Sequence, residues 1–107
     1  MSDTSRSISL QTLAGLRLQV TAQPEHGRVS ASLYQRPKRA EARIGIKLGA
    51  QIAYVGADLV DLRVDTDPKY PDAIWFARTA FDLPDTEARR AQAWLEALTT
   101  APKADAA

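Results

Sequence analysis

The chain has 107 residues, 45% hydrophobic and 25% charged, with a net charge of +1 and no cysteine. It holds enough apolar side chain for one core and is too short for two. The missing cysteines exclude disulfides, zinc ribbons, thiol nucleophiles and iron–sulfur ligation.

No apolar run approaches the ~20 residues that span a bilayer. Met1 to Ser9 lacks the apolar centre of a signal peptide, so a cytoplasmic location is expected. In chain order, Met1 to Ser7 is polar and expected to be disordered. Ile8 to Leu13 fits either a short strand or one helical turn. After Gly15, Leu16, Leu18, Val20 and Ala22 alternate with Arg17, Gln19 and Thr21, the period of a half-buried strand. Gln23-Pro24-Glu25-His26-Gly27 is a turn, and Val29, Ala31 and Leu33 then alternate with Ser30, Ser32 and Tyr34, so 16–34 is predicted to be a β-hairpin. A charged loop, 35–41, contains Pro37. From Ala42 a third strand is predicted, with Ile44, Ile46 and Leu48 on one face and Arg43, Gly45 and Lys47 on the other. Gly49 to Val55 fits a helical turn or a strand, and Gly56-Ala57-Asp58 a turn. Val60, Leu62 and Val64 alternate with Asp61, Arg63 and Asp65, a fourth strand. A loop with Pro68 and Pro71 leads to Ala73–Phe81, apolar on both faces and predicted as one covered strand. Ala88, Ala91, Leu95 and Leu98, widened by Trp94, form a helical stripe over 84–99. Pro84 suits its first turn, and Asp82 or Asp85 its cap. Residues 100–107 are expected to be a disordered tail. The expected architecture is α+β: one domain over 8–99, a small, mostly antiparallel sheet with a C-terminal helix packed on it.

The catalytic inventory is thin. His26 is the single histidine and lies in a turn beside Glu25. There is no Gly-x-Ser-x-Gly elbow and no phosphate-cradling glycine loop. Asp65-Thr66-Asp67 begins like a calcium loop, but the sixth and twelfth positions hold Tyr70 and Phe76 instead of glycine and a carboxylate. No enzyme activity, cofactor or metal is therefore expected. Trp75, Phe76, Phe81 and Trp94 are expected chiefly as core, with Trp75 on the face opposite Phe76.

Charge is unevenly placed. Residues 1–50 carry eight basic and three acidic groups; residues 51–107 carry six and ten. The densest basic stretch holds Arg36, Lys38, Arg39, Arg43 and Lys47, with Tyr34 just ahead, all within 14 residues. Phosphates are held by such cations, and a neighbouring tyrosine can stack on a base; the bland alternative is a solvated loop.

The stretches Ala42-Arg43-Ile44-Gly45-Ile46, Val55-Gly56-Ala57-Asp58-Leu59-Val60-Asp61-Leu62-Arg63-Val64 and Ala73-Ile74-Trp75-Phe76-Ala77-Arg78 together resemble the AbrB-type swapped-hairpin regulators. The resemblance covers about a third of the chain. It departs from the family's pattern at Ala57, which separates Gly56 from Asp58, and at Lys47-Leu48, where the family has a proline. It implies a dimer of interleaved strands that binds DNA through basic side chains, Arg43 and Lys47 being nearest. A similar arrangement occurs in small phage and mobile-element proteins.

The leading expectation is a non-enzymatic binding module that contacts nucleic acid through Tyr34, Arg36, Lys38, Arg39, Arg43 and Lys47. The alternative is a protein–protein module, an assembly component or inhibitor of a larger complex. It would use the acidic segment 58–72, with Asp58, Asp61, Asp65, Asp67, Tyr70 and Trp75. The charge split suits either, and also self-association. No membrane partner is expected.

Overall fold

A computed structural model describes residues 5–66 and 68–100, except for the side chains of Thr99 and Thr100. Asp67 and the expected tail beyond Thr100 lie outside the described residues. The element order is β1 (Arg6–Gln11), β2 (Arg17–Gln23), β3 (Arg28–Tyr34), α1 (Arg39–Arg43), β4 (Gln51–Asp58), β5 (Leu62–Asp65), β6 (Asp72–Phe76), β7 (Thr79–Leu83) and α2 (Asp85–Thr100). The strands form two antiparallel sheets, β1-β2-β3-β4 and β5-β6-β7. The fold is the expected α+β class, with more strands than the sequence indicated.

The β2–β3 hairpin follows from the alternation. Leu18, Val20, Ala22, Val29 and Ala31 are buried, and the intervening residues face away. Its turn is a 3-10 turn, Pro24–His26, closed by Gly27 at φ 64°. Ile8–Gln11 belongs to a strand and not to a helical turn. β1 also takes in Arg6 and Ser7, assigned above to a disordered terminus, which pair with Ala22 and Thr21.

Three expectations for the middle of the chain need correcting. Residues 42–48 are not a strand: α1 ends at Arg43, and Ile44 is 76% exposed. The Arg-Ala-Glu-Ala-Arg segment favours helix, and two local devices hold it there. The Lys38 N–H donates to Glu41 Oε1 at 2.8 Å. At the other end Ile46 N–H donates to Glu41 O and Gly45 N–H to Ala42 O, with Gly45 at φ 89°, a Schellman ending. The Ile44/Ile46/Leu48 alternation is therefore a coincidence of spacing without a paired strand behind it. Gly56-Ala57-Asp58 is not a turn but the end of β4, in register with Ser30, Val29 and Arg28. The turn comes later, as a 3-10 turn over Leu59–Asp61 that leaves Val60 91% exposed. Finally, 73–81 is two strands. The reversal falls at Ala77-Arg78 with Ala77 at φ 59°, a conformation usually left to glycine, so the sequence carries no turn signal there.

α2 follows its stripe: Ala88 and Ala91 are fully buried and Leu98 is 4% exposed, while Trp94 and Leu95 are half-buried. Its first internal bond runs from Ala88 N–H to Pro84 O. Asp85 thus lies inside the first turn and Asp82 in β7, and neither stands at the cap position. The helix and the three-stranded sheet cover the inner face of the larger sheet. Leu10, Leu18 and Val20 share that core with Ile74, Phe76 and Leu83, and Phe76 meets Phe81 edge to face at 5.9 Å. No helix among the described residues is long and apolar enough to cross a membrane.

α2 also closes one sheet edge. The Gln11 N–H donates to Glu87 Oε2 at 2.6 Å, and Arg90 Nη1 donates to Ser9 O at 3.2 Å and to Glu87 Oε1 at 2.7 Å. Burial pushes the Glu87 carboxyl up. The hydrogen bonds from Arg90 and Gln11, with the charges of Arg90 and Arg17, outweigh this and hold it below the ordinary glutamate range.

Candidate functional site

With one face of the four-stranded sheet buried, the opposite face carries the polar half of each alternation. Register sets Ser9, Gln19, Ser32 and Tyr54 in one row across the strands, and Gln11, Arg17, Tyr34 and Gln51 in the next. Beside the serines, glutamines and Arg17 of this face stand two tyrosines. Tyr54 is 66% exposed and Tyr34 half-buried.

At the Tyr34 end of this face the chain leaves β3, runs through α1 and returns as β4. The base of the excursion is pinched shut by Gln35 N–H to Ala50 O at 2.9 Å and Gly49 N–H to Gln35 O at 2.8 Å. Only glycine fits at 49, because a Cβ there would lie 2.6 Å from Arg36 O and 2.8 Å from Gln35 O. Arg36 reaches back to the β1–β2 turn and donates from Nε to Gly15 O at 3.0 Å. That turn is held by the buried Thr12, whose Oγ1 accepts from Leu16 N–H at 3.0 Å.

The result is a cleft of about 180 Å³ between the β1–β2 turn and the excursion, lined by Gln11, Gly15, Leu16, Arg17, Gln35, Arg36, Pro37 and Lys47. Three of those side chains are cationic and none is acidic. Arg17 also donates from Nη1 to Ser9 Oγ at 3.4 Å and its charge acts on the Glu87 carboxyl. The two guanidiniums offer planar donor forks and Lys47 a compact charge.

Of the expected residues the structure brings Arg36 and Lys47 together at this cleft, and Tyr34 lies opposite its Arg17 across the β2–β3 pair without lining it. Lys38, Arg39 and Arg43 stand exposed on α1 and its entry, beside it in the chain. Arg43 and Lys47 do not share a strand face across Gly45, since Arg43 closes a helix. Arg17 and Tyr54 were not among the expected site residues. The signal for Arg17 was present, in its place on the wet side of the 16–22 alternation; Tyr54 lay in a segment whose strand character was undecided.

The acidic segment forms no comparable constellation. Asp58 is paired with Arg28 at 3.3 Å. Asp61 and Asp65 sit at element ends, Asp67 lies outside the described residues, and Tyr70 is 69% exposed in the loop before β6. Trp75 is not a free anchor. β6 is the middle strand of its sheet, and Arg63, directly opposite on β5, lays its guanidinium 4.7 Å from the indole ring centre. Among the described residues no three His, Cys, Asp or Glu side chains gather so as to hold a metal ion. A larger hollow, about 430 Å³, lies between the β1–β2 turn and β7, lined mainly by Leu13, Ala14, Leu16, Leu33, Ala80 and Phe81. It is apolar, with Asp82 its one charged neighbour.

No protein-family model, no curated protein and no solved structure matches this chain.

Proposed function

We propose that the protein binds nucleic acid, with a preference for single strands, on the outer face of its four-stranded sheet. The observation that carries this reading is the convergence of Arg17, Arg36 and Lys47 on one cleft beside a sheet face that bears Tyr34 and Tyr54 and that no other described element covers. Phosphates would sit at the cleft and along Lys38, Arg39 and Arg43. Bases would lie across the sheet, stacked on the tyrosines, a sequence-tolerant contact. Among the described residues this face presents a broad sheet and no helix or two-stranded ribbon of major-groove shape, which favours an open strand over a duplex.

Fluorescence anisotropy with labelled single- and double-stranded oligonucleotides at stepped salt tests the proposal. About four phosphate contacts on a single strand give a slope of log affinity against log salt near −2.8. Arg17→Ala with Lys47→Ala should flatten that slope by about half. Tyr54→Ala should weaken single-strand binding by about 1–3 kcal/mol while leaving the slope alone. Absence of binding below about 100 µM at low salt, for every nucleic acid tried, would defeat the proposal.

A further inference from the structure

The two edges of the larger sheet are treated differently. On β1, side chains from α2 occupy backbone groups: Glu87 accepts from Gln11 N–H and Arg90 donates to Ser9 O. On β4, the described residues pair only with β3. Its outer edge carries no charge or proline from Gln51 to Ala57, the usual devices that keep an edge from pairing. One bulge, where Ile52 is the extra residue between the Leu33–Ala53 and Tyr34–Gln51 pairs, limits the regular segment to Ala53–Asp58.

The exposed large hydrophobic side chains concentrate in and next to this strand in the sequence. Five of the seven among the described residues lie between positions 44 and 60: Ile44, Ile46, Ile52, Tyr54 and Val60. Charge follows the same axis. Arg43 and Lys47 precede the uncharged stretch 51–57; Asp58, which pairs with Arg28 at 3.3 Å, and Asp61 follow it.

We infer that β4 is a dimer interface, occupied by β4 of a second copy running antiparallel, so that two four-stranded sheets join into one. The occupant is chosen by complementarity. Reversing the strand sets the basic, Ile44/Ile46 end of one copy against the acidic, Val60 end of the other, and twofold symmetry does so twice. A continuous sheet requires that residues on the same face oppose each other. Centring the pair on Val55, the middle of Ala53–Ala57, satisfies this and places each Tyr54 opposite Gly56 of the second copy. Edge pairing leaves the sheet's outer face open, but Arg43, Lys47 and Tyr54 figure in both readings, so the dimer is tested on protein free of nucleic acid.

The chain has no cysteine, so single cysteines report the pairing without background. Alanine 53, Tyr54, Val55, Gly56 and Ala57 are each replaced by cysteine in the full chain, and cross-linking is read after mild oxidation. Opposed residues at the centre of an antiparallel pair have Cα atoms about 4.5–5.5 Å apart, within disulfide reach. V55C should therefore cross-link most, and A53C and A57C hardly at all. Sedimentation of the wild type from about 1 µM to about 1 mM should show a monomer–dimer equilibrium, weakened at least ~10-fold by the exposed changes I52K or V60K, with circular dichroism unchanged. A wild type that stays monomeric throughout, uniform cross-linking along the strand, or an equilibrium indifferent to both lysines overturns the inference.

Discussion

Glu87 joins α2 to the β1 edge, and its removal should be felt beyond a surface ion pair. Its side chain is only 14% exposed and accepts from both Gln11 N–H and Arg90. The Arg90 side chain is 53% exposed, so the ion pair alone contributes under about 1 kcal/mol. The bond from Gln11 is charge-assisted, but it lies at the exposed edge of β1 where water can replace the acceptor, so its loss in Glu87→Ala adds about 1 kcal/mol. Together the loss should be about 1–2 kcal/mol, or a melting temperature lower by about 4–15 °C for a domain of this size. Glu87→Gln keeps an acceptor and loses the charge, and should cost about 1 kcal/mol. Because the folded carboxyl titrates below its ordinary value, its stabilisation is fully present above the unfolded pKa, about 4.3, and is lost as pH falls through the lower folded value. Urea unfolding followed by tryptophan fluorescence, from about pH 7 to about pH 2, should show wild type and Glu87→Gln converging only in that acid window. A difference that is constant with pH, or a Glu87→Ala protein within ~0.5 kcal/mol of wild type, would refute the reasoning.

Leu98→Ala should lower unfolding free energy by about 2–5 kcal/mol, since the side chain is 4% exposed, while the half-buried Leu95→Ala should cost clearly less; denaturant titration compares them. Ala77→Gly should stabilise by about 0.5–1 kcal/mol in thermal melts, because Ala77 holds a left-handed φ of 59° that glycine adopts without steric cost. Gly49→Ala should cost about 1–3 kcal/mol and speed hydrogen exchange at Gln35 and Gly49, because its Cβ strikes backbone carbonyls that have little room to yield.

What the sequence disclosed depended on whether its periodicity was backed by burial. The 16–34 hairpin and the α2 stripe were legible because each apolar position is a core position: Leu18, Val20, Val29, Ala88 and Ala91 are all buried. The Ile44/Ile46/Leu48 alternation looked just as regular and misled, because helix propensity, the Lys38–Glu41 cap and the Gly45 ending are local forces that act without a partner strand. A different reading was available there, since glycine two residues after Arg-Ala-Glu-Ala-Arg is a helix stop. The Ala77 reversal was not legible at all: the hairpin imposes a backbone conformation that its residue does not favour. For the site, the density of cations from Arg36 to Lys47 was plain. That Arg17 completes their cleft depends on how the excursion folds back over the β1–β2 turn, a contact between segments that local pattern cannot disclose.

We propose above that the outer sheet face and the Arg17–Arg36–Lys47 cleft hold a nucleic-acid strand. The most direct measurement is an NMR titration of isotopically labelled protein with a short single-stranded oligonucleotide. Saturable shifts are expected at Arg17, Gln19, Tyr34, Lys47 and Tyr54, with α2, Asp58, Asp61, Asp65 and Tyr70 unmoved. Shifts confined to that acidic segment or to the apolar hollow around Leu13 and Phe81, or no shift at millimolar ligand, would contradict it.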